Sequence, residues 1–467
     1  MNTLEELLVS ESRRQRTPVW WVGGPVRDAL LLRPWLDGDI ACRHAQRMAK
    51  ALQRKLRAKL ITLDEHYRIY RVILPAGGLT LDVAELQGKT IQDDLARRDF
   101  SINTMARLVG QDAIVDPWKG LADLRRKKIR ALSARVLKED PIRRLRAFRF
   151  AAQLNFTIDA QTRRWIRGGT FKSIAAERIR GELLKLLTSP RAGAALAAMD
   201  ASGLLIEIFE DLEACRRTGR AYYGPGGVLT HSLNTVRNFE WLCEHLDTIV
   251  SAHAEACQAY LDFPIGGFPR RAWLKLGALL HDIGKPATAQ KIQGRLRFFG
   301  HEEVGAHQIS PLAQRLRFSR QETQLVRLWV KHHMRLGGLA AASDVTPKAF
   351  FRYFRDLQGE GLGMVLISLA DHFDYLARAR WGKNTDPVER QARALMAQYF
   401  QKNEALTLPR LVDGHDIMRR LKLKPSPLIG QILRAVEEGQ LDGRFRTRAD
   451  ALKNLPALHK AAQRIRA

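Results

Sequence analysis

Near its amino end the chain reads TPVWWVGGPVRDAL over residues 17–30, and this run sets the architecture of the first domain. Residues 17–22 are rich in β-branched and aromatic side chains, which favours a strand. The strand ends at Gly23 and Gly24, and Pro25 is suited to the first position of the helix that the apolar spacing predicts next. A strand, a glycine turn and a helix expose backbone N–H groups at a positive helix end, which forms a cradle for phosphate.

A second run, DGDI at residues 37–40, places two acids on the predicted strand 37–42. Because side chains alternate along a strand, Asp37 and Asp39 share one face. Neighbouring carboxylates repel each other unless cations lie between them, as two-metal phosphoryl transfer requires. Asp82, in the predicted strand 79–86, is the natural third acid. The alternative is an acidic loop pair with an unrelated surface Asp, and the motifs farther along the chain argue against it.

Three more motifs follow in order: RRDFSINTMA (97–106), DPWKGLADL (116–124) and EDPIRRLRAFRFA (139–151). In the last of them Asp140 and Arg143 are three residues apart, a spacing that puts both side chains on one face of a helix. A carboxylate that only accepts and a guanidinium that only donates can pair with the exocyclic amine and ring nitrogen of cytosine or adenine. Uracil and guanine present a different arrangement of hydrogen-bond donors and acceptors, which this pair does not match. The alternative is a salt bridge on a helix surface.

Together the five motifs resemble those of the class II tRNA nucleotidyltransferases, which are the CCA-adding enzymes and their CC-adding, A-adding and bacterial poly(A)-polymerase relatives. The resemblance implies that Asp37 and Asp39 hold catalytic Mg²⁺, with Asp82 as the third carboxylate. It implies that an RNA 3′-hydroxyl attacks the α-phosphate of CTP or ATP and releases pyrophosphate, so that tRNA, CTP and ATP are the partners. The residues that it implies for nucleotide binding are Gly23, Gly24, Arg27, Arg98, Asp99, Asn103, Asp140, Arg143 and Arg146.

Two departures from the family pattern bear on the product. Gly38 lies between the two acids, where members of this family more often have a bulkier residue. The glycine predicts that the strand is locally loosened. The segment between the third acid and residue 97 is short, with only residues 87–93 between Leu86 and Asp94. In this family a short segment there goes with enzymes that stop after two cytidines. The sequence therefore favours CC addition, with A, CCA and poly(A) addition as open alternatives.

A second set of polar residues lies in the helical half of the chain, around LLHDIGKP at residues 279–286. The order of its histidines and acids resembles the HD phosphohydrolase superfamily. The resemblance implies His231, His281, Asp282 and Asp371 as ligands of one metal, with His301 and one of His332 or His333 for a second. Imidazole and carboxylate ligands suit a divalent transition metal or Mg²⁺ without choosing between them. The site predicts either hydrolysis of a phosphate ester or a structural metal.

Near the carboxyl end, DGHDIM (413–418) and LKPSPLIG (423–430) resemble the tail of family members that carry an HD domain. Glycine-rich turns at the amino ends of helices, with Lys and Arg nearby, can bind RNA phosphates. The alternative is a pair of capping helices.

Composition agrees with an RNA partner. The 467 residues include 77 Lys and Arg against 49 Asp and Glu, a formal charge of +28 that favours a polyanion. Collagen-like, coiled-coil and largely disordered classes are excluded. No apolar run reaches the length of a membrane span, and four cysteines without a CxxC pair predict a reduced, cytoplasmic protein.

The predicted fold is α+β, with a mixed-sheet nucleotidyltransferase head followed by helices. The predicted domains are a head at 1–130, a base-recognising helical neck at 131–205, an HD-type domain at 206–390 and a basic RNA-binding tail at 391–467. The function predicted is template-independent addition of C or A to tRNA. The rivals are an HD phosphohydrolase whose head only binds nucleotide and a non-catalytic RNA-binding protein. The sequence does not indicate an oligomeric state.

Overall fold

The computed structural model describes residues 2–35, 37–75, 79–171, 173–342, 346–375, 386–401 and 410–464. Packing divides the chain into two units, Met1–Glu213 with Leu312–Phe318, and Ala214–Pro311 with Ser319–Ala467. Within the described residues, no helix combines the length and the apolar character that a membrane span needs.

The elements up to residue 217 begin with a sheet and continue as helices. In chain order they are α1 (Asn2–Gln15), β1 (Val19–Val22), α2 (Gly24–Leu30), β2 (Asp37–Cys42), α3 (Ala45–Leu56), β3 (Lys59–Asp64), β4 (Ile69–Ile73), β5 (Thr80–Glu85), α4 (Ile91–Leu95), β6 (Ala106–Leu108), β7 (Ile114–Val115), α5 (Gly120–Arg125), β8 (Lys128–Ile129), α6 (Ala134–Glu139), α7 (Ile142–Leu154), β9 (Thr157–Ile158), α8 (Ala160–Ile166), α9 (Ala176–Thr188), α10 (Ala192–Ser202), α11 (Leu204–Ile208) and α12 (Leu212–Arg217).

Seven of these strands form one mixed sheet in the order β3-β4-β5-β2-β1-β6-β7. Strands β2 and β5 run parallel, whereas the other neighbours in the sheet are antiparallel. Helix α3 packs on β4 and β5 through its buried Met48 and Leu52, because apolar residues recur along it at helical spacing. The α+β prediction is confirmed.

The strands predicted in the head are found in the structure. Strand 37–42 is confirmed as predicted, and the strands expected at 17–22 and 79–86 are shorter by one or two residues at one or both ends. The prediction missed β3, β6 and β7. Pro25 lies at the second helical position, because Gly24 begins α2.

The remaining elements are mostly helical. In chain order they are α13 (Arg220–Tyr223), α14 (Gly227–Glu244), α15 (Leu246–Val250), α16 (Ala254–Asp262), β10 (Pro264–Ile265), β11 (Phe268–Pro269), α17 (Arg270–Leu280), α18 (Lys285–Thr288), β12 (Gln290–Ile292), β13 (Arg295–Arg297), α19 (His301–Arg315), α20 (Arg320–His332), α21 (Arg335–Ala341), α22 (Pro347–Leu357), α23 (Gly361–His372), α24 (Pro387–Gln401), α25 (Gly414–Leu421), α26 (Pro427–Leu441) and α27 (Arg448–Arg464).

The core of the second unit is formed by α14, which packs against α17 and α23. Residues 272–280 of α17 are all buried, and the one charged residue among them, Lys275, pairs with Glu240 at 3.0 Å. The carboxyl end of this helix leads into the buried His281 and Asp282. Helix α21 follows α20 after two residues. The three helices α25, α26 and α27 share an apolar core of their own around Ile417, Ile432 and Leu455.

Candidate active site and metal centre

The acids of the head meet because β2 and β5 pair in parallel. The register sets Asp39 opposite Asp82 and Asp37 opposite Thr80. The Thr80 hydroxyl donates a hydrogen bond of 2.6 Å to Asp37 Oδ1, which orients that carboxylate. Two strands that are distant in sequence therefore bring three carboxylates to one end of the sheet.

Asp82 differs from the other two acids because a guanidinium holds it. Arg71 lies opposite Asp82 on β4 and donates from Nε and Nη2 to the two carboxylate oxygens, at 2.7 and 2.8 Å. A bidentate pair of this kind neutralises the carboxylate and fixes its plane. Within the described residues of the head, no three ligand atoms lie within 4.8 Å of one another. Asp37 and Asp39 are therefore the acids that remain for a cation.

The glycine turn faces Asp39. Gly23 has φ of +68°, a conformation that favours glycine, and a Cβ there would lie 2.6 Å from Arg98 Nη1. A Cβ on Gly24 would lie 3.7 Å from Asp39 Oδ2. The missing side chains open a gap bordered by backbone, a guanidinium and a carboxylate, which has the composition of a site for a metal-bound triphosphate.

The electrostatics of Asp39 fit a cation. Burial, together with the neighbouring Asp82 and Asp37, raises the pKa of Asp39 to about 6, although Arg98 and Arg146 oppose the shift. A carboxyl group in such surroundings holds its charge more easily when a cation binds beside it. The acidic cluster and the glycine gap together match the Mg²⁺ that the family resemblance implies.

A chain of hydrogen bonds joins the glycine turn to the neck. Arg27 donates to Asn103 Oδ1 at 2.8 Å, and Asn103 donates to Asp99 Oδ1 at 2.9 Å. Arg146 of α7 lies 3.0 Å from Asp99 Oδ2. Arg146 and Asn103 hold the pKa of Asp99 below its usual range even though the side chain is buried. The structure thus brings together four of the residues that the sequence assigned to nucleotide binding.

Asp140 does not lie on the helix that carries Arg143. It ends α6 in an extended conformation, and α7 begins at Ile142, so the predicted helical i, i+3 geometry is wrong. Their side chains still approach each other, with Arg143 Nε 3.8 Å from Asp140 Oδ2. Arg178 of α9 is closer to the same oxygen, at 2.9 Å. Pro141 accounts for the break, because the residue before a proline avoids the helical region.

In the second unit, four buried histidines point their Nε2 atoms toward a shared acid. Each of the four Nδ1 atoms lies 2.8 Å from an acceptor: the Asp374 carboxylate for His231, and backbone oxygens of Ala278, Phe298 and Val330 for His281, His301 and His333. A backbone carbonyl only accepts, so Nδ1 carries the proton and Nε2 is free to ligate. This is the outer hydrogen bonding typical of metal-bound histidines.

The Nε2 atoms form two groups around Asp282. His231 and His281 lie 3.3 Å apart, with Asp371 Oδ1 2.9 Å from His231 Nε2. His301 and His333 lie 3.2 Å apart, and both are within 3.5 Å of Asp282 Oδ1. The side chains of His231, His281 and Asp371 can share one ion, and so can those of His281, Asp282 and His333.

Charges inside this centre favour a cation. Burial would raise the pKa of Asp282, but His281 and Lys285 hold it well below its usual range. Burial lowers the pKa of His333, which keeps the ring in the neutral form that ligates metal. Asp282 Oδ1 is buried without a hydrogen-bond partner among the described residues. The donor set and this unpaired oxygen fit a divalent cation, but they do not choose among Mn²⁺, Fe²⁺, Ni²⁺, Zn²⁺ and Mg²⁺.

The structure distinguishes between the two adjacent histidines. His333 is buried in the cluster, whereas His332 points toward Arg335 and Lys331, whose charges together with burial lower its pKa. The assignment of His332 as a ligand candidate is therefore not supported by the geometry. On a helix adjacent residues diverge by about 100°, so only one of them can face the centre.

Several residues at these sites were missed by the sequence analysis: Arg71, Arg178, Tyr223, Lys285, Asp374 and Tyr375. Asp374 follows Asp371 by three residues at the end of a helix, a spacing that could have identified it. Lys285 donates to Asp282 Oδ2 and to the Tyr223 hydroxyl. The ring of Tyr223 stacks on His231 with centroids 4.8 Å apart. No local signal marks Arg71, whose role depends on strand register.

Comparison with known proteins gives three family models that match in the order of the sites. The model described as the poly A polymerase head domain matches residues 19–130. The probable RNA and SrmB-binding site of polymerase A matches residues 155–215. The HD domain matches residues 228–376 and includes the histidine centre.

Similar proteins cover nearly the whole chain. A CC-adding tRNA nucleotidyltransferase from Geobacter sulfurreducens is 32% identical over 97% of this chain and 94% of its own. An A-adding tRNA nucleotidyltransferase from Deinococcus radiodurans is 31% identical over 92% of this chain and 93% of its own. A solved CCA-adding enzyme in complex with CTP has a TM-score of 0.62 at 22% identity and covers 97% of this chain and 94% of its own, which is a likeness of fold.

Proposed function

The chain belongs to the tRNA nucleotidyltransferase family, and on that premise we propose that it is a CC-adding enzyme. It transfers two cytidylate units from CTP to the 3′ end of a tRNA and releases pyrophosphate at each step. The observation that carries the proposal of nucleotidyl transfer is the close approach of Gly24 to the Asp39 carboxylate, beside Arg98.

Each group in the head would act on a different part of the nucleotide. The backbone of Gly23 and Gly24, with Arg27 and Arg98, would bind and neutralise the triphosphate. Asp37 and Asp39 would hold Mg²⁺, which when bound polarises the α-phosphate and lowers the pKa of the attacking hydroxyl. The contribution of the protein is to position these charges before the reaction, with no reorganisation during it.

Base selection would fall to Asp140 and Arg143. Both arginine contacts of Asp140 fall on Oδ2. The other oxygen, Oδ1, would accept a hydrogen bond from the exocyclic amine of cytosine, while Arg143 donates to its ring nitrogen and carbonyl oxygen. Uracil presents a carbonyl where cytosine presents the amine, so two acceptors would face each other and binding would be weakened.

The preference for CC over CCA rests on the segment between Leu86 and Asp94. Thr90 and Asp93 form a capping box that begins α4. Arg43 donates to the backbone oxygens of Gly88 and Lys89, at 3.2 and 2.9 Å. A short segment held by these hydrogen bonds supports the proposal that the enzyme lacks the long flexible loop of complete CCA-adding relatives. The alternative is A-adding or poly(A) activity. The A-adding tRNA nucleotidyltransferase of Deinococcus radiodurans, at 31% identity, favours that alternative.

Product length tests the proposal. Purified protein with Mg²⁺ is given a tRNA that lacks its last three nucleotides, first with CTP alone and then with CTP plus ATP, and products are resolved on a sequencing gel. We expect two nucleotides to be added in both reactions. Addition of a third nucleotide with ATP would reject CC specificity, and extension of a CC-ended tRNA by a single A would favour the alternative.

The double variant Asp37→Ala plus Asp39→Ala should abolish extension, because two cation-binding carboxylates are lost. The matched control is Asp112→Ala, which removes an exposed acid of the same head. If the control variant loses as much extension activity, the loss comes from the change in charge or from misfolding and not from the cation site.

We propose hydrolysis of a phosphate ester as a second activity, at the histidine centre. The observation that favours it is the common orientation of four histidine Nε2 atoms toward Asp282 and Asp371. Asp374 and three backbone oxygens would hold the rings in place, and Lys285 would neutralise charge beside the centre. A purely structural ion is the alternative, and assays on phosphodiester substrates with added Mn²⁺, Ni²⁺ or Mg²⁺ separate the two.

A further inference from the structure

A small hairpin lies in the chain between the two halves of the histidine centre. Strands β12 (Gln290–Ile292) and β13 (Arg295–Arg297) pair antiparallel, with Ile292 opposite Arg295 and Gln290 opposite Arg297. Paired residues of an antiparallel ribbon lie on the same face. One face therefore carries Gln290, Ile292, Arg295 and Arg297, and by alternation Leu296 lies on the other.

The first face is exposed and combines cations with apolar groups. Ile292 is 40% exposed, and Phe299, in the turn that follows the strand, is 74% exposed. Residues 290–300 include three basic residues and no acidic one. Neither Arg295 nor Arg297 has an ion pair or side-chain hydrogen bond within the part of the chain that the structure describes. Arginines without a protein partner, next to an exposed aromatic ring, form the kind of surface that binds phosphates and stacks on bases.

The hairpin is joined directly to the histidine centre. The backbone oxygen of Phe298 accepts from His301 Nδ1 at 2.8 Å, so the end of the hairpin orients a metal-ligand candidate. Lys285, which also contacts Asp282, lies 5.5 Å from the centroid of the Phe298 ring. Phe299 is two residues from His301. The hairpin and the histidine centre are therefore adjacent in the chain and connected through Phe298.

We propose that the exposed face of this hairpin, formed by Ile292, Arg295, Arg297 and Phe299, binds the single-stranded end of an RNA substrate of the histidine centre. Arginines would contact phosphates, and Phe299 would stack on a base, which is the combination that binds single strands without reading their sequence. The absence of acids from the hairpin favours a polyanion. This inference rests on the proposed hydrolytic activity and names its substrate class.

The test compares a long and a short substrate of the same chemistry. The long one is a fluorescent twelve-nucleotide RNA ending in a 2′,3′-cyclic phosphate, and the short one is 2′,3′-cyclic AMP, which reaches the centre without spanning the hairpin. In both, water adds across one P–O bond of the ring and leaves a phosphate monoester. The full chain is compared with Phe299→Ala and with Arg295→Ala plus Arg297→Ala. The control is Lys50→Ala plus Arg54→Ala, an equal loss of charge from the exposed face of α3.

We expect Phe299→Ala to weaken binding of the twelve-nucleotide RNA about fivefold or more, measured by fluorescence anisotropy, because one stacked base is lost. The arginine variant should reduce the slope of log K against log salt by about 1.4, for two phosphate contacts to a single strand. Hydrolysis of 2′,3′-cyclic AMP, and extension of tRNA by the head, should stay within about twofold of the unchanged chain, a margin inside the scatter that surface substitutions produce.

Three results would overturn the inference. Binding of the RNA could be equal in all variants, or the Lys50 and Arg54 control could lose as much as the arginine variant. Alternatively, the hairpin variants could lose tRNA extension in parallel with RNA binding, which would assign the hairpin to tRNA docking. If the unchanged chain hydrolyses neither substrate, the proposed hydrolase fails, while anisotropy still tests the surface on its own.

Discussion

At the scale of single residues, two arginines outside the recognised motif positions fix the acids of the first unit. Arg71 binds Asp82 through two hydrogen bonds, and Arg178 binds Asp140. A charge-assisted pair limits the rotation of a carboxylate. Arg71 holds both oxygens of Asp82, whereas Arg178 holds only Oδ2 of Asp140. Positioning residues of this kind affect selectivity as well as rate, because an acid that can rotate also accepts the wrong partner.

Replacement of Arg178 by Ala should loosen base selection. The guanidinium is about half exposed, so the pair is worth roughly 0.2–1 kcal/mol. We expect the ratio of kcat/KM for CTP over UTP to fall about twofold to fivefold, mostly through a higher KM for CTP, with thermal stability little changed. Single-nucleotide addition to a shortened tRNA measures the ratio. The matched control is Arg163→Ala on α8, and an unchanged ratio in Arg178→Ala would exclude the positioning role.

At the scale of elements, the strand β2, which carries Asp37 and Asp39, is packed more closely than its sequence suggested. The predicted loosening at Gly38 is wrong, since β2 keeps its register with β5 through that residue. A Cβ on Gly38 would lie 2.8 Å from Leu81 Cδ1, 3.1 Å from the Trp35 ring and 3.2 Å from the Trp21 ring. The glycine is explained by the side chains that cover it, and it keeps Asp37 and Asp39 on a regular strand.

Gly38→Val should therefore damage both stability and activity. Overpacking of a close-packed interior costs about 1–3 kcal/mol, and displacement of β2 would move the two acids that flank the site. We expect a lower Tm together with a large loss of kcat in tRNA extension. Gly168→Ala serves as the control, because nothing lies within 4 Å of a Cβ at that position. A Gly38→Val variant with full activity would show that the packing is not required.

The first helix is tied to α3 through a buried acid. Glu11 receives hydrogen bonds from Arg14 at 2.6 Å and from Gln15 at 3.0 Å, and it forms an ion pair with Lys55 at 2.7 Å. Burial acts to raise the pKa of Glu11, but the bonds from Arg14, Lys55 and Gln15 outweigh it and lower the pKa to about 2. Because the folded pKa is below the ordinary value of 4.5, this stabilisation is present above about pH 4.5. It is lost as the pH falls toward 2.

Glu11→Gln should lower the stability of the first unit by about 1–3 kcal/mol at pH 7. The difference from the unchanged chain should stay constant down to about pH 4.5 and narrow below it, as the native carboxylate takes up its proton. Thermal unfolding of both proteins, followed by tryptophan fluorescence between pH 7 and 4, measures this difference in stability. Glu6→Gln, on the exposed side of α1, is the control. A stability difference that grows as the pH falls would contradict the lowered pKa of Glu11.

At the scale of the whole molecule, the chain carries two sites in two separately packed units. The acids of the head lie in the first unit, and all ligands of the histidine centre lie in the second. The family models follow the same division. The formal charge of +28 belongs to the chain as a whole and favours a polyanionic partner.

His281→Ala should separate the two activities. It removes a candidate ligand common to both metal groups, so we expect bound metal and phosphodiester hydrolysis to be lost while tRNA extension continues. Metal content by mass spectrometry and a gel-based extension assay provide the two readouts. His245→Ala, whose ring stacks on Trp241 outside the cluster, is the control. Parallel loss of extension and hydrolysis would contradict the division between units.

The sequence by itself determined the fold class, the family and many of the elements. The glycine turn, the strand Asp37–Cys42 and the helices around residues 142–154, 176–188 and 270–280 follow from signals within a few residues of one another. These signals are the alternation of a strand, the period of a helix and the backbone freedom of glycine. The α+β fold and the family followed from the order of such motifs.

The tertiary structure alone decided which side chains meet. The pairing of Asp82 with Arg71, the choice of His333 over His332 and the hydrogen bond that His231 donates to Asp374 each depend on register or packing between distant segments. Spacing along the chain fixes the direction of a side chain on its own element. It does not specify the partner that another element brings, because that depends on how buried faces pack together.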